Sequence, residues 1–295
     1  MPIPLEYLGT ASTFIIRGRA DFSAWKDPRS IMSIPTLTPA LLHRAENLPT
    51  LVLGPSLGTG SLALWGPAVP YLKDHFQLVA WDLPGHGESA PSTEDFSMSE
   101  LAAGVMAMID TLRTDQIIAA EAVLYYAGVS IGGATALQLA NDFPGAFAGL
   151  SVICSAAKIG TPQGWAERAE SVSTSGTQLV VAGSAERWFA PGFIEANAVA
   201  SANLLQNLQH ADQYSYAHAC AALGGYDLRE SLKSLKDPIL AIAGAHDVVC
   251  PPTDAQFIAA HAQNARAATI DTVAHLAPAE DPAATAALLV DFFNG

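Results

Sequence analysis

Short, continuous apolar runs at 50–53, 77–81, 124–127, 149–154, 237–243 and 267–270 punctuate the chain, and most run straight into a glycine or an aspartate. Runs of that length, rich in Val, Ile and Leu, suit strands buried on both faces of a parallel sheet. Between them the apolar positions take helical spacing. Leu101, Val105, Met108, Ile109 and Leu112 make one face behind a Ser97-x-x-Glu100 capping box. Residues 62–76 can form a helix that Pro67 and Pro70 interrupt, and 254–264 can form another. Asp281-Pro282 then opens a terminal helix with Leu288, Leu289, Phe292 and Phe293 inward. Strand, loop and helix in repeated order predict an α/β fold with a mostly parallel central sheet and helices on both faces.

Two regions break this rhythm. In residues 1–38 only 12–18 reads as an edge strand, with turns at 27–30 and 34–35, and a further short strand is expected at 40–44. From 156 to 236 no buried-strand pattern occurs, and helical stretches alternate with turns at 160–162, 173–176 and 191–192. This predicts a helical cap inserted into a core made of 1–155 and 237–295, lying over the C-terminal strand ends and walling a substrate pocket. Trp165, Arg168, Trp188 and Phe189 fall in that segment, with Lys158 at its entrance.

Composition narrows the partners. The 14 Lys and Arg against 28 Asp and Glu give a net charge of −14, which disfavours nucleic acid and anionic membranes. The first residues lack a signal-peptide pattern and no long apolar run occurs, so a soluble, cytoplasmic protein is expected, with a homo-oligomer left open. Cys154, Cys220 and Cys250 are odd in number and far apart, which favours free buried thiols over a disulfide framework or a zinc site.

Candidate chemistry centres on Gly128-Val129-Ser130-Ile131-Gly132, a G-x-S-x-G turn between a strand pattern and a helix pattern. Such an elbow lifts a serine hydroxyl above a sheet and aims the N–H groups of a new helix at a developing oxyanion. Ser130 is the candidate nucleophile. The loop Gly54-Pro55-Ser56-Leu57-Gly58-Thr59-Gly60 lacks a phosphate-binding pattern, so the N–H groups of Leu57 and Ile131 are the candidate oxyanion donors. Asp247 follows the strand at 237–243, and His275 follows the last strand. A histidine base oriented by a carboxylate is what a serine needs to attack a carbonyl near neutral pH. Asp82 and Asp271 are rival acids, and His86 in its Gly-His-Gly turn reads better as a structural hydrogen-bonder. No metal or organic cofactor is signalled.

With these motifs in place, residues 40–295 resemble the α/β-hydrolase superfamily, whose triad follows the chain order Ser130, Asp247, His275. More narrowly the chain looks like the 3-oxoadipate enol-lactonases. The matches that say so lie at 54–59, at 155–168 from Ser155-Ala156-Ala157-Lys158 to Trp165-Ala166-Glu167-Arg168, at 186–189 and at 216–223. The resemblance implies a small lactone substrate, contact with it from Trp165 and a place for Ser56 in the pocket. An enol-lactone of this kind bears a carboxylate, for which Lys158 and Arg168 are the candidate cations. The chain departs from the family at Leu83-Pro84, where an arginine is usual, at Ile131, where methionine is usual, and in its longer N-terminal extension. Rival readings are a carboxylesterase or C–C bond hydrolase with the same triad, and a binding protein on the same scaffold. A dehalogenase or epoxide hydrolase needs an aspartate where Ser130 stands.

Overall fold

The structure, a computed structural model, describes residues 6–7 and 33–295, so the strand expected at 12–18 and the turn at 27–30 lie outside the described residues. Its strands are β1 (Glu6–Tyr7), β2 (Thr38–His43), β3 (Thr50–Gly54), β4 (Gln77–Asp82), β5 (Leu124–Val129), β6 (Gly149–Ile153), β7 (Ile239–Gly244) and β8 (Ala265–Ile270). They form one sheet in the order β1-β2-β4-β3-β5-β6-β7-β8. β1 and β2 pair antiparallel, as do β2 and β4, and every other neighbour is parallel. The edge strand at 6–7 is only two residues long, too short to leave an alternating pattern.

The helices are α1 (Ser61–Trp65), α2 (Val69–Leu72), α3 (Met98–Thr114), α4 (Ile131–Asp142), α5 (Pro162–Ser175), α6 (Val181–Trp188), α7 (Phe193–Ala196), α8 (Ala198–His210), α9 (Gln213–Gly224), α10 (Pro252–His261), α11 (Ala277–Glu280) and α12 (Pro282–Asn294). The helix expected at 62–76 is split into α1, a 3₁₀ turn and α2, with each proline in a first turn where its missing N–H costs nothing. Ser97 and Glu100 make both bonds of the capping box that starts α3. Neighbouring residues on β5 show how the sheet is covered. Tyr125 stacks on Phe293 of α12 at 4.5 Å, whereas the Tyr126 hydroxyl donates to the Gly132 carbonyl of α4 at 3.1 Å. Consecutive strand residues point to opposite faces, so α4 and α12 lie on opposite sides.

β3 sits mid-sheet with β4 on one side and β5 on the other, so the connections after β3 leave in opposite senses. Crevices at such a switch point, beyond the C-terminal strand ends, are where open α/β sheets bind ligands. Gly54 pairs with Gly128 in register, which sets the loop after β3 beside the turn after β5. The segment between β6 and β7 contributes α5–α9, and among the described residues no strand interrupts it.

Candidate active site

One residue makes the turn from β5 to α4. Ser130 has φ 56° and ψ −116°, a strained backbone conformation of a kind that clusters at active sites. The flanking glycines are sterically required. A Cβ on Gly128 would lie 2.2 Å from the Gly132 carbonyl oxygen, and one on Gly132 would lie 2.5 Å from that of Pro55. The turn is pinned from three sides: Ser130 N–H donates to Ile153 at 2.9 Å, Gly132 N–H donates to Pro55 at 3.0 Å, and the Ser155 hydroxyl donates to the Ser130 carbonyl at 2.7 Å.

The loop after β3 is equally tight. Thr59 N–H closes a turn on the Ser56 carbonyl at 3.0 Å, with Gly58 at φ +89°. The Thr59 hydroxyl accepts from Ser56 N–H at 3.1 Å and donates to the Ser56 carbonyl at 2.9 Å, so the backbone of Ser56 is committed to the loop. Ser56 is itself buried. Leu57 N–H has no protein acceptor among the described residues, nor has Ile131 N–H at the start of α4. Two neighbouring free donors at a switch point can stabilise a developing oxyanion.

Asp247 and His275 are 3% and 2% exposed, and their contact is direct: Asp247 Oδ2 lies 2.8 Å from His275 Nδ1. The other carboxylate oxygen accepts Val249 N–H at 2.8 Å and Cys250 N–H at 3.0 Å, which fixes the acid's orientation. An ionised carboxylate can only accept, so Nδ1 carries the proton and the lone pair falls on Nε2, the arrangement of a general base. Close backbone approach holds the two loops together. Ala245 and His246 N–H donate to Ile270 and Val273, both at 3.0 Å, and a Cβ on Gly244 would sit 2.0 Å from the Ala274 carbonyl oxygen.

Two groups that sequence reasoning passed over secure the histidine. The Trp188 carbonyl accepts His275 N–H at 3.1 Å. Glu280 Oε1 accepts Ala274 N–H at 3.0 Å and Leu276 N–H at 3.1 Å, and its Oε2 accepts Ala190 N–H at 2.7 Å. Burial raises the Glu280 pKa, with the three N–H bonds pulling the other way. The rivals are occupied otherwise. Asp82 accepts Ser61 N–H at 2.7 Å and Glu88 N–H at 3.1 Å. His86 Nδ1 donates to the Pro84 carbonyl at 2.9 Å, and burial pushes its pKa down to about 4. His218 pairs with Asp95. The three cysteines are buried and unpaired, and burial raises each thiol pKa.

The expected substrate-side residues separate. Lys158 forms an ion pair with Asp227 at 3.0 Å; Arg229, then Lys158, hold that carboxyl well below the usual range. Trp165 is half-buried, its indole N–H bonded to the Ile159 carbonyl at 2.6 Å. Arg168 lies beside it, its guanidinium carbon 5.8 Å from the ring centroid. Among the described residues no cluster of metal-ligating side chains occurs, and no helix is long and apolar enough to cross a membrane. A groove of about 810 Å³ lined by Gly60, Asp82, Glu88, Glu195 and Asn207 includes none of Ser130, Asp247 and His275.

Comparison with known proteins agrees with this geometry. The model of the alpha/beta hydrolase family matches residues 51–288. The chain is 36% identical over 241 residues to 3-oxoadipate enol-lactonase 1 of Acinetobacter baylyi, covering 82% of this chain and 87% of that one. It is 33% identical over 236 residues to 3-oxoadipate enol-lactonase 2 of the same organism, covering 80% and 85%. The crystal structure of the enol-lactonase from Burkholderia xenovorans LB400 superposes with a TM-score of 0.80 at 30% identity, over 88% of this chain and 96% of that one. A strand-end serine at positive φ, a buried acid–histidine pair and a mostly parallel sheet thus meet a family match across most of the chain, which belongs to the alpha/beta hydrolase family.

Proposed function

We propose that the protein is a serine hydrolase that opens a small carboxylate-bearing lactone, 3-oxoadipate enol-lactone first among them, through an acyl-enzyme on Ser130. The observation that carries this reading is the 2.8 Å contact between buried Asp247 and His275 Nδ1, which leaves Nε2 as the basic nitrogen. Similarity to the two Acinetobacter enol-lactonases supports the substrate.

In this reading His275 Nε2 takes the Ser130 proton as Oγ attacks the lactone carbonyl carbon. The tetrahedral oxyanion accepts from Leu57 and Ile131 N–H, each such donor being worth about 10²–10³ in rate. The ring C–O bond then breaks, and His275 returns the proton to the departing enol oxygen, which stays tethered to the acyl chain. Water, deprotonated by the same nitrogen, cleaves the Ser130 ester and releases a carboxylic acid, and the freed enol tautomerises to a ketone. An enolate is a good leaving group, so two donors and one base suffice without metal or organic cofactor. The helices α5–α9 serve as the cap, with Trp165 as a pocket wall and Ser56 at the floor beside the oxyanion donors.

The test follows enol-lactone absorbance with the wild type and Ser130→Ala, alongside 4-nitrophenyl acetate. Rapid loss of the lactone signal that disappears in the variant is expected. Turnover of the simple ester alone would keep Ser130 as nucleophile and discard the lactone.

A further inference from the structure

The loop after β3 is anchored by contacts from three distant parts of the chain. At its start, Gly132 N–H of the serine turn donates to the Pro55 carbonyl at 3.0 Å, which fixes Pro55 against α4. In its middle, the bonds between Ser56 and Thr59 close a turn around Leu57. At its end, two consecutive N–H groups reach across the molecule. Ser61 N–H donates to Asp82 of β4 at 2.7 Å. Gly60 N–H donates to Asn207 Oδ1 of α8, 147 residues away, at 3.0 Å.

Asn207 is a costly residue to place there. The buried side of α8 is made by Ser201, Leu204 and Leu208, and a carboxamide within a helix weakens it by competing for backbone bonds. Of its two polar atoms only the oxygen can accept an N–H, so Gly60 sets the orientation of the amide. The next residue closes on the same loop. A Cβ on Gly58 would lie 2.6 Å from Leu208 Cδ1 and 3.3 Å from the Trp188 ring, and one on Gly60 would lie 2.9 Å from Asn207 Oδ1. α8 therefore meets the loop at Gly58 and Gly60, just past Leu57.

We infer that Asn207 is a positioning residue for the oxyanion donors: its carboxamide holds the far end of the glycine loop, so that Leu57 N–H stays aimed at the same point as Ile131 N–H. This rests on the oxyanion role given to Leu57 above, and holds for any ester or lactone that Ser130 attacks. Such a donor acts fully only at about 2.7–3.1 Å from the developing oxygen, so a small drift of the loop removes much of its effect. A segment with glycines at 54, 58 and 60 has little stiffness of its own and takes its precision from its anchors. Two of these, Gly132 and Asp82, belong to the sheet side. The third belongs to the helical segment between β6 and β7, so the seating of α8 enters the geometry of the oxyanion donors.

The test compares 4-nitrophenyl acetate with its thiono analogue, in which sulfur, a weak acceptor, replaces the carbonyl oxygen. Relative to their rates with hydroxide, the wild type should prefer the oxygen ester by roughly tenfold or more in kcat/KM. Asn207→Ala should lower kcat for the oxygen ester about tenfold, change KM less than about twofold and slow the thiono ester far less, so that the preference collapses. Asn207→Leu, of similar size without an acceptor, should do the same, and Asn207→Asp, which keeps an acceptor oxygen, should recover part of the rate. Thermal melts check that each variant is folded at the assay temperature. A wild type that prefers the oxygen ester, with Ala and Leu variants that prefer it equally, would overturn the role of Asn207 and leave Leu57 as a donor. Equal losses on both esters would overturn it too, as a general disturbance of the site. A wild type that does not distinguish the two esters would remove the oxyanion reading itself, and this proposal with it.

Discussion

Around Ser130, Asp247 and His275 the chain is fixed by its backbone, whereas around Trp165 and Arg168 it is fixed by side chains. On the sheet side, glycines let main chain meet main chain at Gly128, Gly132 and Gly244, with no space for a Cβ. On the helical side the contacts are ring against guanidinium and hydroxyl against guanidinium. Backbone contacts tolerate almost no substitution and set atoms to fractions of an ångström, which a proton relay requires. Side-chain contacts can be exchanged one residue at a time, which suits a surface that discriminates among ligands.

The sharpest way to break the comparison is at Ser130, the proposed nucleophile. Ser130→Ala should lower kcat by about 10⁶, as removal of a triad serine does elsewhere. Ser130→Gly should be equally inactive yet more stable by about 1 kcal/mol, because glycine adopts the positive φ without strain; a urea midpoint below that of the wild type would contradict this. Asp247→Asn should cost about 10⁴ in kcat with little change in KM, because an amide that donates to Nδ1 imposes the wrong tautomer. A loss under tenfold would point to another acid. Glu280→Ala should cost about 2–3 kcal/mol of stability and roughly tenfold in kcat, since three backbone N–H groups lose their acceptor beside the histidine. Glu280→Gln, which keeps one acceptor oxygen, should recover part of both in paired melts and rate assays.

The mildest expected effect on activity accompanies the pH dependence of stability. In the folded state His86 takes up a proton only near about 4, against an ordinary 6.5. The unfolded chain therefore binds the extra proton first as pH falls through that window, and stability drops with it. At pH 5 this amounts to about 2 kcal/mol. His86→Gln should flatten the urea-midpoint slope between pH 7.5 and pH 5, and an unchanged slope would assign the loss to other groups.

Much of the sheet side is legible in the sequence because its demands are local. The serine turn needs glycines two residues away, Asp247 and His275 sit just past strand ends, and the capping box spans four residues. What stays hidden has no local mark. Glu280 and the Trp188 carbonyl act on backbone N–H groups, which every residue but proline offers. Lys158 reads as a free cation because its partner Asp227 is 69 residues away. The contact of Arg168 with Tyr216 depends on how α5 and α9 pack, and the weak apolar periodicity of α9 does not announce that packing.

Glu280 also has a consequence for modularity. Its two oxygens tie Ala190, just past α6, to the residues on either side of His275, and Trp188 adds a second tie two residues earlier. The helical segment is therefore mechanically tied to the loop that carries His275. Transplanting residues 156–236 from a relative to change selectivity should succeed only where the graft restores the carbonyl and the N–H that Trp188 and Ala190 present to the histidine loop. A graft that omits them would loosen His275, the proposed base, whatever pocket it brought.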